Sequence, residues 1–258
     1  MRYLLSLLGF SMFLIASAQD DLQKIIQERM AGSGMKIEDD TSHFVPNEFI
    51  GSFRMEMHMY KSGVEAEHSP TNMRYYSKED MTLNKMAMPS EDGGKTKGRD
   101  MSTLTDLKGK WTYMLMTDEE GKQMAMKSKK KKVTMTEDPK EATKEPEITE
   151  TKETKTIEGH VCTKVIVKTE DGTWTGWVAK DVKAPFEDMT RNMGQRGNKN
   201  MTNAYKGVKG LPLEFEWLDK NGTDKMVCFM KDVKSGSVDE GVFSLDGYEV
   251  MEMPSFGQ

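Results

Sequence analysis

The sequence predicts a mainly β protein of the α+β class, built on one antiparallel sheet with one or two short helices, and three observations carry this. Short segments in which apolar and polar residues alternate recur along most of the chain, separated by turns rich in Gly, Asp, Asn and Lys. A single amphipathic helical pattern stands in front of them, and no strand–helix alternation follows, which excludes doubly wound and TIM-type folds. The composition, 36% hydrophobic and 31% charged over 258 residues, is that of a globular chain long enough for one large domain or two small ones.

The chain opens with Arg2, an apolar run over 4–15 and the small-x-small sequence Ala16-Ser17-Ala18. This reads as a signal peptide over 1–18, cleaved near Ala18. The run is too short to span a bilayer comfortably and no second one follows, so the expectation is a periplasmic or secreted protein that is not membrane-spanning. Residues 19–45 are expected to supply an N-terminal helix and a linker. Asp20 and Asp21 can cap Leu22, Ile25, Ile26 and Met30, and Gly32 and Gly34 stop the helix.

Residues 46–258 are expected to form a single antiparallel β domain. From Phe49 the period becomes two: Phe53, Met55, Met57 and Met59 alternate with Arg54, Glu56, His58 and Tyr60. After a turn at Lys61-Ser62-Gly63, strands are expected at 64–67, 73–76, 81–86, 101–105, 111–116 and 123–127. The composition then collapses to Glu, Lys, Thr and Pro, with Ala142 and Ile148 as the ordinary apolar residues. Such a segment buries too little surface to offset its ordering cost, so a charged flexible loop is expected at about 136–153. Strands at 161–168 and 173–179 flank the turn Glu170-Asp171-Gly172. A brief helix is expected at 187–193 and a loop at 194–203. Leu213, Phe215 and Trp217 share one strand face, Asn221-Gly222 turns the chain into a strand at 225–233, and the last strand lies at 248–251.

A net charge of −5 gives no general argument for nucleic-acid binding, and no cofactor fingerprint is present. The histidines His43, His58, His68 and His160 show no zinc-ligand spacing, so no metal site is assigned on them. Neither a Gly-x-Ser-x-Gly elbow nor a convincing activated thiol is found, and no catalytic residues are assigned. Cys162 and Cys228 leave a disulfide possible in an oxidising compartment, where it would stabilise by about 4 kcal/mol in the chain-entropy model. Two buried free thiols are the alternative.

Methionine is the outlier: 24 residues, of which Met1 and Met12 fall in the leader. Several stand two apart, as Met55, Met57 and Met59 or Met114 and Met116, which places each set on one strand face. Unbranched thioethers make a deformable apolar lining suited to acyl chains or hydrophobic peptides. A core that uses Met in place of Leu is the competing reading, and Trp111 and Trp217 fit either. Thioether sulfur also selects Cu(I), but methionines alternating on one strand lie roughly 7 Å apart and need a neighbouring strand to share an ion. The lysines Lys127, Lys129, Lys130, Lys131 and Lys132 could meet anionic headgroups, or form a solvated edge neutralised by nearby acids.

The stretch TETKETKTIEGHVCTKVIVKTEDGTWTGWVAKDV over 149–182 resembles the hallmark of a family of secreted Gram-negative proteins, the domain of unknown function DUF4412, in its T-K-T-I, Gly, Cys and closing Trp-Val hairpin. Phe-Ile-Gly-Ser-Phe-Arg-Met-Glu-Met at 49–57, Met-Arg-Tyr-Tyr at 73–76 and Ser-Leu-Asp-Gly-Tyr-Glu-Val-Met at 244–251 are similar signals in the same order. The family looks related to the LolA-like lipoprotein carriers. This resemblance implies a curved antiparallel sheet forming an incomplete barrel that holds acyl chains in its concavity, and it supplies no catalytic residues.

The leading expectation is therefore a non-enzymatic envelope protein, without cofactor, whose half-barrel groove binds a lipid or lipoprotein acyl chain. Met55, Met57, Met59, Trp111, Met114, Met116, Phe215 and Trp217 are the candidate lining. The alternatives are a structural or protein-interaction module with an envelope protein partner, offering sheet edges or the charged loop, and Met-based Cu(I) binding.

Overall fold

The computed structural model describes residues 35–87, 100–117, 120–135, 145–183 and 207–253. The signal peptide, the N-terminal helix and the brief helix expected at 187–193 lie outside these residues. The strands are β1 (Met35–Asp39), β2 (Gly51–Lys61), β3 (Val64–Glu65), β4 (Thr71–Ser77), β5 (Met81–Ala87), β6 (Asp100–Asp106), β7 (Trp111–Thr117), β8 (Gln123–Lys129), β9 (Lys131–Met135), β10 (Glu147–Ile157), β11 (His160–Lys168), β12 (Gly172–Ala179), β13 (Leu211–Asp219), β14 (Asp224–Ser235) and β15 (Glu249–Glu252). The one described helical element is a 3-10 turn, Glu240–Phe243, capped by the Asp239 carboxylate, which accepts from Gly241 N–H.

The chain divides into two compact units. The described part of the smaller one is the antiparallel ribbon β1–β9. Its register sets Lys132 opposite Glu38 and Lys131 opposite Asp39. Lys131 Nζ lies 2.6 Å from Asp39 Oδ1, and Lys130 Nζ lies 2.6 Å from Asp40 Oδ2. The Lys131 ammonium holds the Asp39 carboxyl below the usual carboxylate range. Lys130, Lys131 and Lys132 of the lysine run are thus matched, residue against residue, by the acids 38–40, the favourable form of cross-strand charge pairing.

The larger unit holds a sheet of order β10-β11-β12-β13-β14-β2-β4-β5-β6-β7-β8-β15, with β3 added on β2. The described pairings are antiparallel except β15 on β8, which is parallel. The sheet is curved and does not close, leaving β10 and β15 as its edges. The second half of the segment expected to be a flexible loop, from 147 to 153, is instead the first part of β10. The Glu, Lys and Thr residues that argued against order are the ones that suit an edge strand, where charge and a bulge discourage pairing with other chains. The bulge falls between Glu150 and Thr154. Lys180 reaches Glu150 at 2.6 Å, Lys164 reaches Glu153 at 3.0 Å and Lys155 reaches Glu214 at 2.7 Å, so the edge is tied back to the sheet by its own charges.

Side chains alternate across a strand, so the register fixes which residues share a face. Trp174, Trp217, Met226 and Met59 stand in one row across β12, β13, β14 and β2, and Phe215, Cys228 and Met57 stand in the next. This side, the tryptophan face, is buried over β11–β14, β2 and β4 with Phe53, Met55, Met73 and Tyr75. From β5 onward the buried side is the opposite one. Leu83, Leu104 and Tyr113 form a row across β5, β6 and β7, and with Leu115, Ala125 and Phe243 of the 3-10 turn they make a second core on this leucine face. One sheet therefore carries two cores on opposite sides, changing over between β4 and β5.

Gly176 is required by the first core. A Cβ at this position would stand 2.2 Å from Cη2 of Trp174, whose ring is fully buried and lies over the glycine. Gly176→Val is expected to lower unfolding stability by roughly 1–3 kcal/mol, the usual cost of forcing volume into a packed core. Urea denaturation followed by tryptophan fluorescence checks this, and an unchanged midpoint would remove Trp174 packing as the reason for the glycine.

Candidate ligand-binding face

The register carries one row of methionines through both halves of the sheet. Met230 on β14 pairs with Met55 on β2, Met55 with Met73 on β4, Met73 with Met86 on β5, Met86 with Met101 on β6, and Met101 with Met116 on β7. Six thioethers from six adjacent strands share the tryptophan face. Directly opposed residues have Cβ atoms about 4.5–5.5 Å apart, closer than the within-strand spacing. Met230, Met55 and Met73 are sealed in the first core, whereas Met86, Met101 and Met116 are half-buried, because the core has moved to the other side beneath them.

Around these three methionines the face is mixed. Asn84 and Thr103 occupy the row beside them, and Met114 continues that row at 39% exposure. Asn84 Oδ1 is buried and accepts no hydrogen bond among the described residues. A deformable thioether surface with a few polar groups set into it is the general chemistry of a small-molecule site.

The structure separates the residues expected to line a groove. Met55, Phe215 and Trp217, at 1%, 2% and 4% exposure, are closed core. Met57 packs half-buried against that core, and Met59 at the end of the strand is 43% exposed. Met114 and Met116 lie on the tryptophan face of β7, but Trp111 shares the opposite face with Leu115. There Lys127 Nζ sits 3.7 Å from its ring centroid and 3.5 Å from Glu252, so Trp111 cannot line the same surface. Sequence reasoning missed Met73, Met86, Met101 and Met230 as members of one row. Their alternation within strands was visible, but the row exists only through register.

Cys162 and Cys228 are both free and buried, so the disulfide considered from the sequence is not formed. They lie on β11 and β14, with β12 and β13 between them. Three inter-strand steps of about 4.8 Å place them roughly 14 Å apart, twice what a disulfide spans. Burial pushes both thiols above their ordinary values, against nucleophilic use. Among the described residues no group of three His, Cys, Asp or Glu side chains is placed to hold a metal ion, and no helix is long and apolar enough to cross a membrane.

On the leucine side of β2, His58 is held between two carboxylates, with Nδ1 2.6 Å from Glu65 Oε1 and Nε2 3.2 Å from Glu56 Oε1. Both ring nitrogens can donate only in the imidazolium form. The hydrogen bond to Glu65, followed by that to Glu56, raises the His58 pKa above its ordinary 6.5 against the opposing effect of burial. Lys231, 2.8 Å from Glu56 Oε1, and His58 together bring the Glu56 carboxyl down to about 2.

The family model of the domain of unknown function DUF4412 matches residues 49–247. No curated protein matches the chain. Among solved structures, PNGF-II in a C2 crystal form is 14% identical with a TM-score of 0.38, covering 79% of this chain and 31% of that one. This chain thus spans about a third of PNGF-II. A DUF1329 family protein from Desulfovibrio piger ATCC 29098 is 9% identical with a TM-score of 0.20, covering 89% and 97% of the two chains. A Vibrio parahaemolyticus domain described as an outer membrane lipoprotein-sorting protein is 9% identical with a TM-score of 0.28, covering 86% and 95%.

The His58 clamp predicts a pH dependence of defined sign. Because the folded-state pKa is raised, its stabilisation is fully present below about pH 6.5 and is lost as pH rises through the folded value. Glu56 and Glu65, both held below their ordinary values, remain ionised throughout that range. Urea unfolding at intervals from pH 5 to pH 9 should show wild-type stability falling relative to His58→Gln. Parallel curves would mean that the clamp contributes nothing.

Proposed function

The chain belongs to the DUF4412 family, and from that premise we propose that it is a non-enzymatic protein of the cell envelope, periplasmic or secreted, that binds a hydrophobic ligand such as a lipid or lipoprotein acyl chain. The site is the tryptophan face of β5–β7. The observation that carries this reading is the methionine row, which passes from a sealed core at Met230, Met55 and Met73 to a half-buried surface at Met86, Met101 and Met116. A row of flexible, polarisable side chains at the margin of a core can repack around a guest without opening the core itself. Of the residues expected from sequence, Met114 and Met116 remain in this lining, joined by Met86 and Met101, whereas Met57 and Met59 stand on β2, outside it. Asn84 Oδ1 is the acceptor for a ligand hydroxyl or amide N–H. The sequence over 1–18, with its basic start, apolar run and Ala16-Ser17-Ala18, supports export. The nonenzymatic reading rests on a face that offers thioethers, hydroxyls and an amide, none of them a base or an activated nucleophile.

A second reading has its own support. Met86, Met101 and Met116 stand directly opposite one another on adjacent strands, which supplies the neighbouring-strand sulfur that Cu(I) binding needs.

Native mass spectrometry of protein taken from its own envelope fraction, followed by denaturation, should release a lipid mass. With a fluorescent long-chain fatty acid, the triple substitution Met86→Ser, Met101→Ser and Met116→Ser should weaken binding at least about tenfold, the loss expected when several apolar contacts are removed. The corresponding Leu triple should bind within about threefold of wild type while losing any copper. Absence of saturable probe binding, or a Ser triple that binds as wild type does, rejects the lipid reading. A copper mass in place of a lipid selects the second.

A further inference from the structure

We propose that the leucine face of β4 and β5 carries a binding site for a phosphate group, centred on Arg74 and Lys85. The register sets four cations side by side on consecutive strands: Lys231 on β14, Arg54 on β2, Arg74 on β4 and Lys85 on β5. Directly opposed like charges repel, so such a row persists against a cost unless counter-charge is supplied.

The chain supplies it for only half of the row. Glu56 takes both Lys231, at 2.8 Å, and Arg54, at 3.2 Å. Asp232, turned out of the ladder at a bulge with φ of 56°, reaches Arg54 Nε at 3.3 Å. Two carboxylates thus neutralise two cations. Arg74 makes no ion pair among the described residues, and neither does Lys85, whose ammonium lies 5.8 Å from the Tyr76 ring centroid. The uncompensated charge is concentrated on two directly opposed residues of a chain whose net charge is −5.

At this point the surface is concave. A cavity of about 470 Å³ is lined by Arg54, Arg74 and Lys85 together with Asn72, Gln123 and Tyr248 and is bordered by Met73, Met86 and Met116, and none of its described lining residues is a carboxylate. An adjoining cleft of about 400 Å³ shares Lys85, Gln123 and Tyr248 and also has Asp246 and the 3-10 residues Gly241 and Val242 in its lining. A guanidinium fork, an ammonium and neutral amide and phenol donors converging on one volume match the several oxygens of a tetrahedral phosphate. Arg binds such oxygens in a bidentate way and Lys as a point charge. Arg74 and Lys85 stand on the leucine face by register, whereas Met86 and Met116, which also border this cavity, belong to the methionine row. Arg74→Gln and Lys85→Gln leave those methionines in place, so they test phosphate binding apart from acyl binding.

Isothermal titration at 150 mM NaCl with inorganic phosphate, with glycerol 3-phosphate and with phosphatidylglycerol vesicles tests the site. At least one should bind saturably, with affinity reduced tenfold or more in Arg74→Gln, reduced in Lys85→Gln, and partly retained in Arg74→Lys. Both side chains are exposed, so the thermal unfolding of these variants should match wild type and the loss be attributable to the site. Binding of the two soluble ligands identifies a free phosphate or phosphoester as the source, and binding of vesicles alone identifies a lipid headgroup. No saturable binding by any of the three, or unchanged binding in Arg74→Gln and Lys85→Gln, overturns the proposal.

Discussion

Strand register is the constraint on which the rest of this structure depends. Once Met55 lies opposite Met73 and Met73 opposite Met86, alternation assigns every other side chain on these strands to a face, and a slip by one residue would exchange them all. The consequence is unusual because the sheet does not bury the same side throughout. Trp174, Phe215 and Met55 are covered on one face, and Leu83, Leu104 and Leu115 on the other. Wherever a core ends, its face continues into solvent with side chains still aligned in rows.

Those continuations are where chemistry is available. The tryptophan face beyond β4 presents thioethers, threonines and Asn84, and the leucine face before β5 presents charge. His58, Glu56, Glu65, Lys231, Arg54 and Asp232 form a connected network there. Its ion pairs are partly exposed and individually weak, but they hold a strand surface that would otherwise be a bare row of like charges.

Much of the architecture was legible in the sequence, because half-buried antiparallel strands print their alternation directly. Phe53, Met55 and Met57, or Leu213, Phe215 and Trp217, identify their strands without help. What was not legible had two physical causes. β9 and β10 carry few apolar residues, since one is matched by acids on β1 and the other is an edge guarded by charge, so hydrophobic periodicity reports neither. The candidate site depended on long-range pairing: Met86, Met101 and Met116 were visible as strand methionines, but not as neighbours, whereas the opposite face of Trp111 was already implied by its odd spacing from Met114 in one strand. The same limit applied to Cys162 and Cys228, whose separation by two strands has no local signal.

The central claim, that the methionine row serves as a ligand surface at its outer end and as a core at its inner end, is tested most directly by methyl NMR. With 13C-methyl methionine, titration of a long-chain fatty acid should move the resonances of Met86, Met101, Met114 and Met116. Those of Met55, Met73 and Met230 should stay in place. A uniform shift across all seven, or shifts absent from the first four, would contradict the account.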